Sequence, residues 1–474
     1  MADRAYAAVI GRRSEIVERA VGIDYGAFER GRLAFDYEGL MGAVGYSLDE
    51  VRATQERAGV GRTPLLELRR LTALVRSVAG PGRGARLLLK DEAANPSGSF
   101  KVRRAALAVH EAKRRGFEGV IAATSGNYGA AVASQAASQG LACVVLQEVY
   151  DSAGRGQPEI LEKARACEAY GAEVWQLTVG PELFYAMLLL LEETGYYSAS
   201  LYLPHAVAGI ETLGWEIGTE VRERYGREPD AVVVTHAGGG NVTGTARGLR
   251  KAGCAATEVI GASVDLQGLR MDSDADFNRK SFTTGHTGFG VPFLVNPDRT
   301  DVPRNAARAL RYLDRFVTVT QGEVFYVTEA LAQLEGLERG PAGNTSLAAA
   351  LAVARELDRD AILVVQETEY TGAGKHPTAQ LTFARELGID VRRGAPSENV
   401  PGQVIAIPRS PEELTAVAVD LDAIRRSYLR RAVPDETALG EVDLAFLAEE
   451  VGRPVEAVER WLRELDPVAG AAEA

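Results

Sequence analysis

Cysteine is scarce in this chain, with only Cys143, Cys167 and Cys254 among 474 residues. The three are scattered, odd in number and in no metal-ligand spacing, which speaks against a disulfide framework and for inert thiols in a reducing compartment. The five histidines show no metal spacing either, so no catalytic metal is expected. No apolar run approaches a membrane span. The first twenty residues interleave charges with apolar side chains instead of forming the continuous apolar core of a signal peptide. A cytoplasmic protein with no membrane partner is the expectation. Positive charge is in deficit, 53 Lys and Arg against 65 Asp and Glu, for a net charge of −12. That balance argues against nucleic acid as a partner, and an anionic ligand needs a local site. The dinucleotide spacing G-x-G-x-x-G and the P-loop lysine are both missing.

Hydrophobic residues make up 46% and charged residues 25%, the composition of a soluble chain with a sizeable core. From about Arg86 to Gln366, short β-branched runs such as "GVIAATS", "ACVVLQE", "AVVVTHAG" and "AILVVQET" alternate with longer helical patterns. Strands so apolar along their length imply burial on both faces, hence an α/β fold with mostly parallel sheets covered by helices. Ligands gather at the carboxyl ends of such strands, so the loops that follow them are where chemistry is expected. Residues 1–60 are charged and helical in pattern, an N-terminal extension on a core of 61–394 that holds a smaller lobe at about 102–215; 395–474 form a mostly helical segment with two amphipathic stretches.

Three loops carry chemistry. "GGGNVTG", from Gly238, follows a strand, and its contiguous glycines let backbone N–H groups converge at a helix N-terminus, an anion cradle fit for phosphate; a plain tight turn explains them equally. "TSGNYGAA", from Thr124, crowds Thr124, Ser125 and Asn127 at another helix start, suited to a carboxylate or to ordinary capping. "NPSGSFKVRRA", from Asn95, sets Lys101 at the mouth of a helix, where the dipole disfavours a positive charge. A lysine desolvated there has a nucleophilic amine. Lysine, phosphate cradle and carboxylate loop are together what pyridoxal 5'-phosphate requires to act on an amino acid.

The motifs "KDEAANPSGSFKVRRA", "ATSGNYGAAVA" and "GGGNVTG" resemble those of the fold type II pyridoxal-phosphate enzymes, the tryptophan synthase β and threonine synthase-like group, over about Gly61 to Lys375. Within that group the chain is similar to the thiolase β subunits that act on 2-amino-4-oxopentanoate, through "RSEIVERAVGIDYGAFERG", "GVGRTPLLEL", "KSFTTGHTGFGVPF", "GLERGPAGNTS" and "VVQETEYTGAGKH". The resemblance implies two three-layer α/β/α lobes, with helical extensions at both ends. It implies that Lys101 bonds the cofactor covalently and later moves protons. It places Asn127 at the cofactor's phenolate oxygen, Thr124, Ser125, Gly126 and Asn127 at the substrate carboxylate, and Gly238, Gly239, Gly240 and Asn241 at the phosphate. It puts a hydroxyl at the pyridine nitrogen, Thr371 with Thr368 as its rival.

His286, in "FTTGHTGFG", could orient the substrate ketone or activate the thiol, although the residues favour a structural loop histidine. The implied reaction cleaves 2-amino-4-oxopentanoate with coenzyme A to alanine and acetyl-CoA, in ornithine degradation. The implied partners are a small α subunit and a second β subunit. A threonine synthase-like lyase or a sulfur-transfer synthase is the alternative, and a non-catalytic subunit retaining the fold a further one. Threonine synthases follow the lysine with Asp-Arg, however, whereas Val102 and Arg103 follow it here.

Overall fold

A computed structural model describes residues 3–124, 126–180, 182–268, 274–283, 290–370, 378–433 and 439–465. Its strands are β1 (Leu65–Glu67), β2 (Arg86–Asp91), β3 (Gly119–Thr124), β4 (Ala142–Tyr150), β5 (Glu173–Thr178), β6 (Tyr197–Ser198), β7 (Ala231–Thr235), β8 (Glu258–Val264), β9 (Arg315–Val319), β10 (Ile362–Glu367), β11 (Asp390–Arg393), β12 (Val404–Ile407) and β13 (Val417–Ala418). They form a seven-stranded sheet in the order β1-β2-β10-β7-β8-β9-β13 and a four-stranded sheet in the order β5-β4-β3-β6, with β11 and β12 as a separate pair. In the large sheet β2, β10, β7, β8 and β9 run parallel, and only the edge strands β1 and β13 are antiparallel. The small sheet is parallel throughout.

The apolar runs account for this. Every residue of β3 and β10 is buried, as strands covered by helices on both faces require. β5 departs from the expectation of two-face burial. It is the edge strand of the small sheet, and its Trp175 is 40% exposed. Among the described residues, no helix is long and apolar enough to cross a membrane.

The helices Pro204–Tyr225 and Gly240–Lys251 pack backbone to backbone. A Cβ added to Gly214 would stand 2.0 Å from the Thr245 carbonyl oxygen, and one added to Gly248 would stand 2.0 Å from the Glu211 carbonyl oxygen. This approach fixes the second helix, whose N-terminus carries the glycine triplet. Beneath the helix Val102–Arg114, Arg103 is fully buried. Its Nε lies 2.7 Å from Glu92 Oε2, and its Nη2 lies 2.8 Å from both Glu92 Oε1 and Glu216 Oε2. Lys90 adds a bond of 2.9 Å to Glu216, whose carboxyl these cations hold far below the usual range despite burial.

The two ends of the chain share one surface. Asp443, at the start of the helix Glu441–Val451, accepts from the Leu33 and Ala34 backbone amides at 2.8 and 2.9 Å. Glu450 of the same helix binds Arg308 at 2.9 Å and Arg311 at 2.7 Å. The amphipathic stretches of the C-terminal segment fold as three helices, Leu421–Ala432, Glu441–Val451 and Val455–Leu465, because Gly452 turns the chain in the left-handed region (φ 59) between the last two.

Candidate active site

The loop that carries Lys101 is tied to the chain leaving β10. Ser97 and Gly98 both take left-handed conformations, φ 61 and 69, which swing the backbone round before the helix. A side chain at Gly98 would meet the Tyr370 carbonyl oxygen at 2.8 Å, so the glycine is what lets the two segments touch. Tyr370 N donates to Gly98 O at 2.8 Å and Phe100 N to Thr368 O at 3.0 Å, around a bridge between Ser99 and Glu369. Lys101 thereby sits as the N-cap residue of Val102–Arg114, facing Thr368 and Glu369 in one cavity wall. Enclosure by protein pushes its amine down to about 8, against the attraction of Glu369.

The cavity has a volume of about 580 Å³. It gathers Lys101, Thr124, Gly126, Asn127, Gly238, Gly239, Gly240, Asn241 and Thr368 in its walls. Ser125, His286 and Thr371 lie outside the described residues. Thr124 Oγ1 accepts from Gly126 N at 2.9 Å, closing the turn into the helix Asn127–Gln139. Gly239 adopts φ 88 as the N-cap of Gly240–Lys251, aiming the first amides of that helix inward. Asn241 Nδ2 donates to Thr235 O at 3.2 Å.

Several groups here are ones that sequence reasoning did not single out. Arg104 is buried beside the glycines, and a Cβ on Gly240 would stand 2.8 Å from its Nη1. No carboxylate pairs with it among the described residues, and burial pushes its pKa down to about 10. Lys163, one turn along the helix Pro158–Ala169 from Glu159, brings its Cγ to 3.8 Å from where a Gly126 side chain would begin. Glu148, Glu159 and Glu369 supply carboxyl groups to the cavity wall. The only signal for Arg104 was its place three residues after Lys101, on the same helix face; Glu159 and Lys163 carried none, because they reach the site from a separate helix.

Other histidines and a further helix-opening loop are dispersed. His236 lines the cavity and packs edge-on against Phe316 at 5.4 Å. His205 is buried away from it, beside Tyr46, Glu111 and Arg115, and burial lowers its pKa to about 4. "GPAGNTS" presents Ala342 to the cavity, while Asn344 turns away to donate to Thr328 Oγ1 at 3.0 Å. All three cysteines are buried, and burial pushes the Cys143 and Cys167 thiols up to about 12, as inert thiols require.

A cradle of amides, a guanidinium with no carboxylate partner among the described residues, a desolvated lysine and a turn at a helix start on one cavity agree with a family match. The family model described as "Pyridoxal-phosphate dependent enzyme" matches residues 56–367. The chain belongs to that family. This pyridoxal-phosphate enzyme is 63% identical over 465 residues, 98% of each chain, to a 2-amino-4-ketopentanoate thiolase beta subunit from an unknown prokaryotic organism. It is 60% identical to the beta subunit of the same name from Acetoanaerobium sticklandii, over 98% of this chain and 99% of that one. It is thus a member of the thiolase beta-subunit family within the pyridoxal-phosphate enzymes. Among solved structures, a threonine deaminase from T.th. is 28% identical with a TM-score of 0.52, covering 68% of this chain and 98% of that one. O-ureido-L-serine synthase, at 20% identity and a TM-score of 0.52 over 69% and 94%, shares the fold.

The residues present fit the cofactor. Arg104 Nε and Thr235 Oγ1 are buried on this cavity without a partner among the described residues, donors fit for the oxygens of a phosphate. The space beside Gly240, which any side chain would fill, lies open to Arg104. Orphaned polar groups so placed are costly unless a ligand satisfies them.

Proposed function

We propose that this chain is the catalytic β subunit of a thiolase that cleaves 2-amino-4-oxopentanoate with coenzyme A, giving alanine and acetyl-CoA, as a step of ornithine degradation. The observation that carries this reading is the 63% identity, end to end, with a thiolase beta subunit of that substrate. Bound pyridoxal phosphate would supply an electron sink conjugated with the substrate's C2. Around it, Lys101 holds the cofactor and carries the proton at C2, an amine poised by burial for transfer near neutral pH. The amides of Gly238, Gly239, Gly240 and Asn241, with Arg104, hold the phosphate. Asn127 offers its amide N–H to the phenolate oxygen. Thr124, Ser125 and Gly126 bind the substrate carboxylate, with Lys163 adding charge from behind the turn. Thr371 donates its hydroxyl at the pyridine nitrogen, with Thr368, a residue of the described cavity wall, as the rival. His286 orients the ketone.

Val102 supports the thiolase reading over a threonine synthase-like one. It is wholly buried in the apolar core, where an aspartate would place an unpaired carboxylate. A small α subunit completes the assembly, with the joint N- and C-terminal surface as its contact, and two β subunits associate within it. Co-expression with the partner, followed by assays of acetyl-CoA and alanine formation, tests the reading. Turnover of phosphohomoserine or phosphoserine in place of thiolysis overturns it.

A further inference from the structure

Thiolysis moves more protons than one lysine serves. The S–H bond of the thiol breaks and an S–C4 bond forms; the C3–C4 bond breaks and a C3–H bond forms. Nothing is oxidised or reduced. The electron pair of the C3–C4 bond becomes that of the C3–H bond, and bound pyridoxal phosphate would supply the conjugation that makes this possible. The net proton count is zero, but some group must accept the thiol proton and return one to C3, while Lys101 attends to C2.

A carboxyl pair in the cavity wall meets that need. Glu159 is the second residue of the helix Pro158–Ala169, and Glu369 lies two residues beyond β10, on the segment bridged to Ser99. They are 7% and 3% exposed, and both line the cavity with Lys101. Glu369 disfavours the ionised form of Glu159, as a second carboxyl close to it does. Gln380, from the helix Thr378–Glu386, donates its Nε2 to Glu159 Oε2 at 3.3 Å. Glu369 Oε1 is buried and receives none of the fixed N–H or O–H donors among the described residues, so it is available to a ligand. The charges facing the pair are Lys163 on the helix of Glu159, Lys101 on the opposite loop and Glu367 at the end of β10.

We infer that Glu159 and Glu369 together carry the proton of the carbon–carbon cleavage, with Glu369 facing the reacting atoms and Glu159 sharing its proton from behind. This rests on the thiolase reading. Burial first, and Glu369 second, raise Glu159 to about 8, against the opposing effect of Lys163. A carboxyl raised by burial and by a second carboxyl holds its proton at pH values where an ordinary carboxyl has lost it, as a general acid requires.

The test compares wild-type holoenzyme and the isosteric variants Glu369→Gln and Glu159→Gln, each with the partner subunit. Three quantities are read: the bound-cofactor absorbance, deuterium uptake at Cα of alanine from D₂O, and acetyl-CoA formation. In Glu369→Gln, thiolysis is expected to fall about 100-fold, the scale of a lost general acid–base. Cofactor absorbance persists, and Cα exchange falls by less than about tenfold, because Lys101 is intact. Glu159→Gln shows the same split. Thiolysis within about threefold of wild type in both variants overturns the inference, and so do equal losses of thiolysis and exchange, the mark of a merely structural role. If Glu369→Gln does not fold, Glu159→Gln decides alone by the same criteria. Wild-type enzyme that exchanges Cα but never forms acetyl-CoA overturns the thiolase reading instead, and the inference with it.

Discussion

Arg104 and Gly240 are matched across the cavity: the guanidinium Nη1 lies 2.8 Å from the position a Gly240 Cβ would take. The glycine leaves the space and the arginine supplies the charge. A dianionic phosphate seated on the Gly238–Asn241 amides would then meet a cation already stripped of water. Arg104→Met keeps the length and removes the charge. Pyridoxal phosphate is expected to bind about 10- to 100-fold more weakly, the about 1.5–3 kcal/mol of a charge-assisted hydrogen bond. Absorbance titration of the apoprotein measures it.

Lys101 has its pKa pushed down to about 8, so its amine is protonated below that pH and free above it. Only the free amine can bond the cofactor. The rate of cofactor loading into apoprotein should therefore climb with pH, about tenfold per unit well below 8, and level off above it. Stopped-flow absorbance from pH 6 to 9.5 checks the sign and the midpoint; a flat profile would show an amine already neutral throughout. Lys101→Ala should show no covalent-cofactor absorbance at any pH.

What the sequence disclosed follows from how local each signal is. β10, "AILVVQET", and the helix after "GGGNVTG" are contiguous patterns, each set by the residues within it. Lys101, Asn127 and Gly238–Asn241 share a cavity because all three loops follow strands or precede helices on one side of parallel sheets. Arg104, Glu159 and Lys163 were not legible. Their place depends on how the helices Val102–Arg114 and Pro158–Ala169 rotate about their axes, which tertiary packing decides. The strand β13, which completes the large sheet's edge, was hidden for a different reason: two residues carry no periodicity.

Arg103 holds the floor of the site in place. It is enclosed between Glu92 and Glu216, with Thr212 Oγ1 at 3.0 Å, and its side chain is wholly buried. Arg103→Met leaves two buried carboxylates, of which, among the described residues, only Glu216 keeps a cation, Lys90 at 2.9 Å. Removing one partner of a buried ion pair costs about 3–5 kcal/mol. A lowered melting temperature is expected in apo and cofactor-loaded protein alike, with part recovered by the double variant Arg103→Met, Glu92→Gln, which removes the stranded charge.

Gly214 tests whether helix packing sets the phosphate cradle. Its absent side chain lets Pro204–Tyr225 lie against Gly240–Lys251, with the Thr245 carbonyl oxygen 2.0 Å and Leu249 N 2.9 Å from where a Cβ would be. Both obstacles are backbone, so no rotamer change relieves them. Gly214→Ala must push the helices apart, an overpacking cost of about 1–3 kcal/mol or more. Because the cradle is the N-terminus of the displaced helix, cofactor affinity should fall along with stability, although Gly214 is not among the residues lining the cavity. Gly11→Ala serves as the comparison, since nothing lies within 4 Å of its would-be Cβ. It should leave both quantities unchanged or raise stability slightly, through alanine's better helix propensity. Equal behaviour of the two variants in cofactor titration would mean that the cradle is held by its own loop rather than by the helix behind it.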